Sequence, residues 1–530
     1  MDAQVVVVGA GPVGMTLAGR LAQRGISTIL VEQNERLSGE GSKAICMQRE
    51  TLEIWARLGI GERVAQRGVQ WQTARTYFRG RKLFSVQLPG SPRDHFPPFV
   101  NINQTEVEEM LLRRVEELPD LELRWGHRLA GIVQHRDGVS ARFETPNGER
   151  AIRARFLVGT DGAHSSVRHL LGMGFPGHSH ADLFLICDIR ARLPFPNERR
   201  LYFDPPWNPG RQVLVHPQPD DVWRIDWQVP PETDVEAERH DGRLDRRIRA
   251  VVGADAAYEL AWLTAYRFHQ RVADRFRLGR VFLAGDAAHL MSPFGARGLN
   301  SGAADAENLA WKLAAVLRGD APDRLLDSYH AERRAVAVEN LAVTDATMRF
   351  MVPHGPLRRA ARNAILRGSV RAAALRRRVN AGRLSEPAAY ASSPVVVDGG
   401  SVAPDFACRR LGTARPHVRR LRELLGDDFV VLVALPGQPD AAAHAAVRAT
   451  RLSWPAPVRV AAIGPDKPLR GIAVLADLQP AEIEPYVARG PRAWLIRPDG
   501  HVAATVPLQP LEALDALPRL QARALGGGGG

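Results

Sequence analysis

The stretch from Val5 to Glu32, VVVVGAGPVGMTLAGRLAQRGISTILVE, leaves little choice in how this chain begins to fold. Val5 to Val8 is a run of β-branched residues, the composition of a strand buried on both faces. It stops at Gly9, and Gly9, Gly11 and Gly14 stand in the spacing G-x-G-x-x-G, with Pro12 among them. Gly9 makes the tight turn, Gly11 lets backbone approach a pyrophosphate, and Gly14 lets the next helix close on the strand. That helix starts with free N–H groups and the positive end of its dipole aimed at the pyrophosphate. Leu17, Leu21 and Ala22 keep one face on the sheet, Gly25 ends the helix, and Ser27 to Val31 gives the second strand. Glu32 closes that strand about twenty residues past the turn, where a carboxylate accepts from a ribose 2′-OH. Together these features define an adenine dinucleotide site. Glu32 speaks against a 2′-phosphate, so the site suits FAD or NAD rather than NADP.

At 530 residues the chain is too long for one core and should hold two or three domains. No apolar stretch is long enough to span a bilayer, which argues against stable membrane insertion. The first strand begins within a few residues of Met1, leaving no room there for a signal peptide. Cys46, Cys187 and Cys408 lie far apart and in no ligand or redox spacing, which predicts a cytoplasmic protein without a structural metal. The net charge of +13 is carried almost wholly by arginine, lysine occurring only at 43, 82, 312 and 467. Such a surface attracts anionic cofactors and substrates, but no nucleic-acid-binding module accompanies it.

Two further stretches repeat the pattern of apolar strand, glycine and acid. Phe156 to Arg168 reads FLVGTDGAHSSVR, with Asp161 and Gly162 after the strand. Arg280 to His289 reads RVFLAGDAAH, delivering Gly285 and Asp286 to a turn before Pro293 and a long helix through Leu317. Asp286 can accept from a sugar hydroxyl, and the N–H groups at Gly298, Leu299 and Asn300 form a seat for negative charge. Lys43, with Arg49 behind it, is placed to reach cofactor phosphates. Gln104 stands at a helix start and can bond a cofactor or cap the helix.

Between the second and third landmarks, Asp182–Ala191, Arg199–Phe203, Gln212–His216 and Val222–Val229 read as one antiparallel sheet inserted into the cofactor domain. Such a sheet would roof the cofactor ring, and Tyr202, Arg211 and His216 are its candidate substrate contacts. Trp223 and Trp227 share one strand face, as core residues do. His178 and His180 form an H-x-H with no evident third ligand, so no metal site is predicted. His289 reads as packing beside the cofactor loop, and His269 sits on a preceding strand. Residues 356–383 predict an arginine-faced helix packed on its own protein. From Ser392 the composition shifts, with Pro394, Gly399–Gly400 and Pro404 marking a linker. Phe429–Leu435, Gly471–Leu475, Ala493–Ile496 and Val502–Ala504 then predict a separate α/β unit, and 526–530 is a flexible glycine tail.

The glycines at 9, 11 and 14, Asp161-Gly162 and Gly285-Asp286, in that order and separation, resemble the three signatures of the single-component FAD-dependent aromatic hydroxylases, of the p-hydroxybenzoate hydroxylase fold. Ser42–Glu53, Asn300–Leu313 and Trp494–Gly500 are similar to the 3-(3-hydroxyphenyl)propionate hydroxylase branch and to related polyketide and phenol hydroxylases. The resemblance implies an α/β (α+β) architecture. Residues 1–391 would be a Rossmann-like FAD-binding domain, with the substrate sheet inserted at about 69–100 and 176–270 and a helical segment at 320–390. Residues 392–525 would be a thioredoxin-like domain whose role is packing or the contact of a homodimer; Cys408 stands there without a redox partner. The resemblance further implies that Glu32 binds adenosine ribose, Lys43 meets the pyrophosphate, Gln104 touches the cofactor and Asp286 binds the ribityl chain. Gly298, Leu299 and Asn300 would lie against the flavin pyrimidine edge and Pro293 by its reactive face. Asp161 would serve both FAD and a transient NADPH or NADH. Arg297 departs from the glutamine common in relatives.

The activity implied is hydroxylation of an aromatic or polyketide ring with NAD(P)H and O2 through a flavin hydroperoxide, which the site must shield from water. Epoxidation or Baeyer–Villiger-type insertion is the alternative on the same flavin. A plain NAD dehydrogenase would leave Asp161 and Asp286 without duties.

Overall fold

The computed structural model describes the chain apart from residues 40–43, 89–93, 294, 354, 380–386, 413–417, 477 and 528–530. Its first sheet is built around the valine run. Ala3–Val8 lies between Thr28–Val31 on one side and Gly148–Gly159 on the other, all parallel, and Val281–Leu283 runs parallel beyond Gly148–Gly159. Val8 pairs with Gly159, and Gly159 with Leu283. The three glycine-acid landmarks, more than a hundred residues apart in sequence, therefore leave the same edge of one sheet side by side. Ligands bind at that carboxyl edge in parallel α/β sheets. Arg150–Ala154, which by itself reads as a short strand, and the apolar run from Phe156 are one continuous strand, Gly148–Gly159, exposed and buried in turn where it pairs with Val139–Thr145 and fully buried in its last four residues.

The second sheet has eight strands, antiparallel throughout except where Glu198–Phe203 runs parallel to Thr73–Phe78. The four predicted strands are present, joined by Arg81–Gln87, the long Glu259–Val272 and the short His289–Leu290. That last strand ties the sheet directly to the third landmark. Val69–Trp71, expected in this sheet, instead pairs with Phe99–Asn101, which also pairs with Cys46–Gln48.

The helix expected over 356–383 is two helices, Pro356–Gly368 and Ala373–Val379, with 380–383 outside the described residues, and Leu366 of the first is buried against Phe78, Phe203 and Met348. The C-terminal unit is a seven-stranded sheet with Phe429–Ala434, Val458–Ile463 and Ile472–Ala476 parallel, followed by an antiparallel pair, Arg492–Ile496 and Val502–Pro507. Among the described residues no helix is long and apolar enough to cross a membrane.

Candidate active site

The first glycine turn is fixed by steric contact. Gly9 has φ +105°, and a Cβ there would lie 2.7 Å from the Thr160 carbonyl oxygen; one on Gly14 would lie 1.9 Å from the Gly9 carbonyl. Thr160 sits across the junction, its hydroxyl donating to the Val8 or Gly9 carbonyl, both at 2.9 Å. Gly11 is different: a Cβ there would meet nothing within 4 Å, because the residue faces open cavity. The helix Pro12–Ala22 has Gly11 as N-cap, with no side-chain cap and no acid in its first turn. Its leading N–H groups are thus left to a ligand.

Glu32 stands at the end of the second strand beside this turn. Its carboxylate accepts from the Ala10 N–H at 2.9 Å and from Asn34. Gln104 lines the cavity and donates to Glu108 Oε1 at 2.7 Å. Burial pushes the Glu108 carboxyl up against the effect of that hydrogen bond, and nearby Glu32 adds to the rise. Glu108 was not singled out from sequence; it lies one helical turn after Gln104, on the same face. Lys43 lies outside the described residues.

Asp161 turns away from the cavity. Its carboxylate accepts from the Ser165 hydroxyl at 2.5 Å and the Val167 N–H at 3.0 Å, while Thr160 and Gly162 on either side line the cavity. Arg168 bridges the second and third landmarks by donating to the Ala163 and Ala287 carbonyls. Gly285 (φ +61°) packs against Val13 and donates its N–H to Asp305 Oδ2 at 3.0 Å. His289 donates to that same carboxylate at 2.7 Å and is fully buried, so it packs beside the cofactor loop as expected.

Asp286 and Pro293 line the cavity, followed by the start of the helix Gly298–Arg318. This helix too lacks a side-chain cap and a first-turn acid. The Asn300 side chain is spent on structure: Oδ1 accepts from the Gln48 N–H and the Thr51 hydroxyl, and Nδ2 donates to the Cys46 and Ala296 carbonyls. What Gly298, Leu299 and Asn300 offer a ligand is therefore backbone. Arg297 lines the same wall and donates to Asn340.

Opposite lies the antiparallel sheet, and two of the three candidate substrate contacts fall outside the cavity lining. Tyr202 faces away from the cavity, stacked on Tyr77 at 4.5 Å and edge-on to Trp207. Its neighbour Leu201 points into the cavity instead. Arg211 precedes the strand Gln212–Pro217, in a turn where its N–H donates to the Asn208 carbonyl, and it does not line the cavity. His216 does line it, in phase with Gln212 and Leu214. Burial lowers the His216 pKa to about 3, helped by Arg199 and Arg224, so its imidazole is neutral. Trp223 and Trp227 are core residues of the outer face, packed with Leu244 and Ile248. Between them, Arg224 and Asp226 face the cavity, which the sequence reading did not recognise. Arg224 is held bidentately by Asp188, both bonds at 2.7 Å. Burial raises the Asp226 pKa to about 7 against the pull of Arg224, and Asp188 adds to the rise.

All these walls enclose one cavity of about 520 Å³, running from Gly11–Val13 past Asp286 and Gly298–Asn300 to the sheet. Away from it, Asp345 meets His178 and His180 with ligand atoms within 4.8 Å of one another, the third group that sequence alone did not supply; Arg349 pairs with that aspartate at 3.2 Å.

The cavity offers a bare helix start for a diphosphate, the strand-end Asp286 for sugar hydroxyls with Glu32 beside the first turn, a second helix start for a polarised ring edge, and a sheet of mixed apolar and polar residues beyond. This donor set fits FAD. Residues 2–344 match the FAD binding domain family, and the chain belongs to it. Its relatives include hydroxylases and monooxygenases. It is 31% identical over 443 residues to a 3-(3-hydroxy-phenyl)propionate/3-hydroxycinnamic acid hydroxylase of Mycolicibacterium smegmatis, covering 81% of this chain and 76% of the relative. It is 35% identical to a 12-dehydrotetracycline 5-monooxygenase/anhydrotetracycline 6-monooxygenase of Streptomyces rimosus, covering 65% and 69%. The crystal structure of aklavinone-11 hydroxylase in ternary complex with FAD and aklavinone superposes with a TM-score of 0.73 at 26% identity, over 99% of both chains.

Proposed function

We propose that this chain is an FAD-dependent, NAD(P)H-consuming monooxygenase that hydroxylates a phenolic ring of aromatic or polyketide type. The observation that carries this reading is the convergence of three strand ends, after Val8, Gly159 and Leu283, on one cavity floored by an antiparallel sheet. Bound FAD supplies the redox chemistry between pyridine nucleotide, oxygen and ring. The protein's share is to bind, orient and exclude water. Gly11 and the first helix start seat the diphosphate, Glu32 the adenosine ribose, Asp286 the ribityl chain, and Gln104 the middle of the cofactor. The N–H groups at Gly298–Asn300 favour negative charge at the flavin edge, an effect on the order of several kcal/mol in a dry site. Lys43 is assigned to the pyrophosphate from sequence alone. Asp161 acts indirectly, by shaping the loop whose Thr160 and Gly162 meet the ligand.

The C-terminal unit is read as thioredoxin-like, supported by three parallel strands followed by an antiparallel pair. Cys408 is buried and its thiol is pushed up to about 12 by burial, which supports a packing role without thiol chemistry. Three free thiols support a cytoplasmic location. The test is direct. Purified protein should be yellow, absorbing near ~450 nm, and a phenolic substrate should stimulate NADPH or NADH oxidation with a product one oxygen heavier. Flavin-loaded protein that oxidises nicotinamide with none of a phenylpropionate, hydroxybenzoate and polycyclic phenol panel would refute the reading.

A further inference from the structure

The sheet side of the cavity carries polar atoms that nothing in the fold satisfies. Gln212 is 2% exposed, lines the cavity, and neither of its amide atoms has a hydrogen-bond partner among the described residues. Oδ1 of Asp226 is likewise closed off and without a partner. Buried polar groups in native proteins are nearly always satisfied, so two unsatisfied groups on one cavity wall point to a ligand. Their placement is regular. Leu214 pairs with Asp226 across neighbouring strands, and Ile186 flanks Asp226 on its other side. Gln212 stands two residues before Leu214 on the same face, so the two polar groups are diagonal neighbours about 7 Å apart at Cβ. Apolar walls from Leu201, Leu214, Ile186 and Phe184 surround them.

We infer that this wall binds the substrate by two neutral oxygens, a ring hydroxyl donating to Asp226 and a second hydroxyl or carbonyl engaging the Gln212 amide. The inference rests on the hydroxylase reading above and narrows it to neutral, polyoxygenated fused rings rather than single rings with a free carboxylate. The charge pattern supports that choice. Among the described residues of the sheet that line the cavity, the one guanidinium, on Arg224, is already gripped by Asp188. A substrate carboxylate entering there would meet Asp226 as a like charge. Around Asp226 the facing titratable groups are Arg224 and Asp188, Cys187 of the same strand as Asp188, Cys46, and the neutral His216, with the buried Arg199 beside Cys46 and His216 but outside the cavity lining. Arg297, the other guanidinium in the lining among the described residues, belongs to the cofactor-side wall and donates to Asn340.

The test is calorimetric titration of FAD-loaded protein at pH 8 without pyridine nucleotide, using 2,7-dihydroxynaphthalene, 2,7-dimethoxynaphthalene and 3-(3-hydroxyphenyl)propionate. The diol should bind about tenfold tighter than either, since each comparison removes a charge-assisted hydrogen bond or adds a like charge. Asp226→Asn should cut that preference over the propionate to about threefold or less, and Gln212→Leu should weaken the diol by about fivefold. Flavin content and circular dichroism check that both variants fold. The inference is overturned if the wild-type protein binds the propionate as tightly as the diol, or if both folded variants keep the wild-type preferences. Failure of the hydroxylase reading would appear separately, as absent oxygen transfer to any ring with these binding preferences intact.

Discussion

Two carboxylates line the cavity, and their surroundings give them different work. Asp286 sits at a strand end by the start of the helix Gly298–Arg318, where a Cβ on Gly298 would be 3.9 Å from its Oδ1. Asp286→Ala should abolish flavin retention on gel filtration while far-ultraviolet circular dichroism stays native; a variant that stays fully yellow would contradict the assignment. Asp226 is a case of linkage. Its folded pKa, about 7, lies above its ordinary 3.8, so the folded state binds more protons than the unfolded chain between those values. Its contribution to stability is full below about pH 4 and is lost as pH rises through about 7. Asp226→Asn should therefore raise the thermal midpoint at pH 8, by up to about 4 kcal/mol in stability, and change it much less at pH 4.5. Equal shifts at both pH values would show that the carboxylate is not buried at cost. Asp286 was legible in sequence because a glycine and an apolar strand precede it. Asp226 was not, although Trp223-Arg-Ile-Asp-Trp227 contains it: alternation separates two faces without saying which one meets the cavity. The same ambiguity misplaced Tyr202.

At the scale of elements, the helix Gly298–Arg318 does most to join sheet and cofactor loop. Its Asp305 is fully buried and accepts from the Gly285 N–H, from His289 and from Arg333 Nε at 2.6 Å. Burial alone would raise this carboxyl, but Arg333 and His289 hold it below its ordinary range. Removing one member of such a buried set costs about 3–5 kcal/mol, because the remaining charges lose their partner. Asp305→Asn should lower the thermal midpoint and also weaken FAD binding, since the turn that presents Asp286 loses its anchor. Stability lost with flavin affinity unchanged would mean the helix does not hold the turn. The parallel strands were legible as apolar runs punctuated by glycine. Val458–Ile463 was not, because arginine and two alanines dilute its β-propensity and its burial comes from Phe429–Ala434 and Ile472–Ala476 on either side. Gly148–Gly159 is one strand whose exposed part, rich in arginine and glutamate, differs so much in composition from its apolar end that the two read as separate strands.

At the scale of the whole molecule, the C-terminal unit braces the far half of that same helix. Arg497, fully buried, donates to both oxygens of Glu332 at 2.6 and 3.0 Å, and Lys312 reaches Glu332 Oε2 at 2.7 Å. Trp311 of the helix donates to Asp499 at 3.0 Å, and its ring meets Phe429 edge-on. A second contact closes the other flank, where Arg20 pairs with Glu307 at 2.9 Å and also donates to the Gly426 carbonyl. The stretch Trp494–Gly500, conspicuous in the sequence, thus contains two of the charged residues that dock the unit, and Arg422 adds another by pairing with Glu53. Arg497→Met leaves Glu332 with Lys312 as its remaining cation and should destabilise the protein by about 3–5 kcal/mol. If the penalty is that of an uncompensated buried charge, and not lost packing, adding Glu332→Gln should return at least half of it. Thermal midpoints of the two single variants and the double variant decide between these. A double variant no more stable than Arg497→Met would make the arginine's aliphatic stem and its stacking near Trp311 the source of the effect.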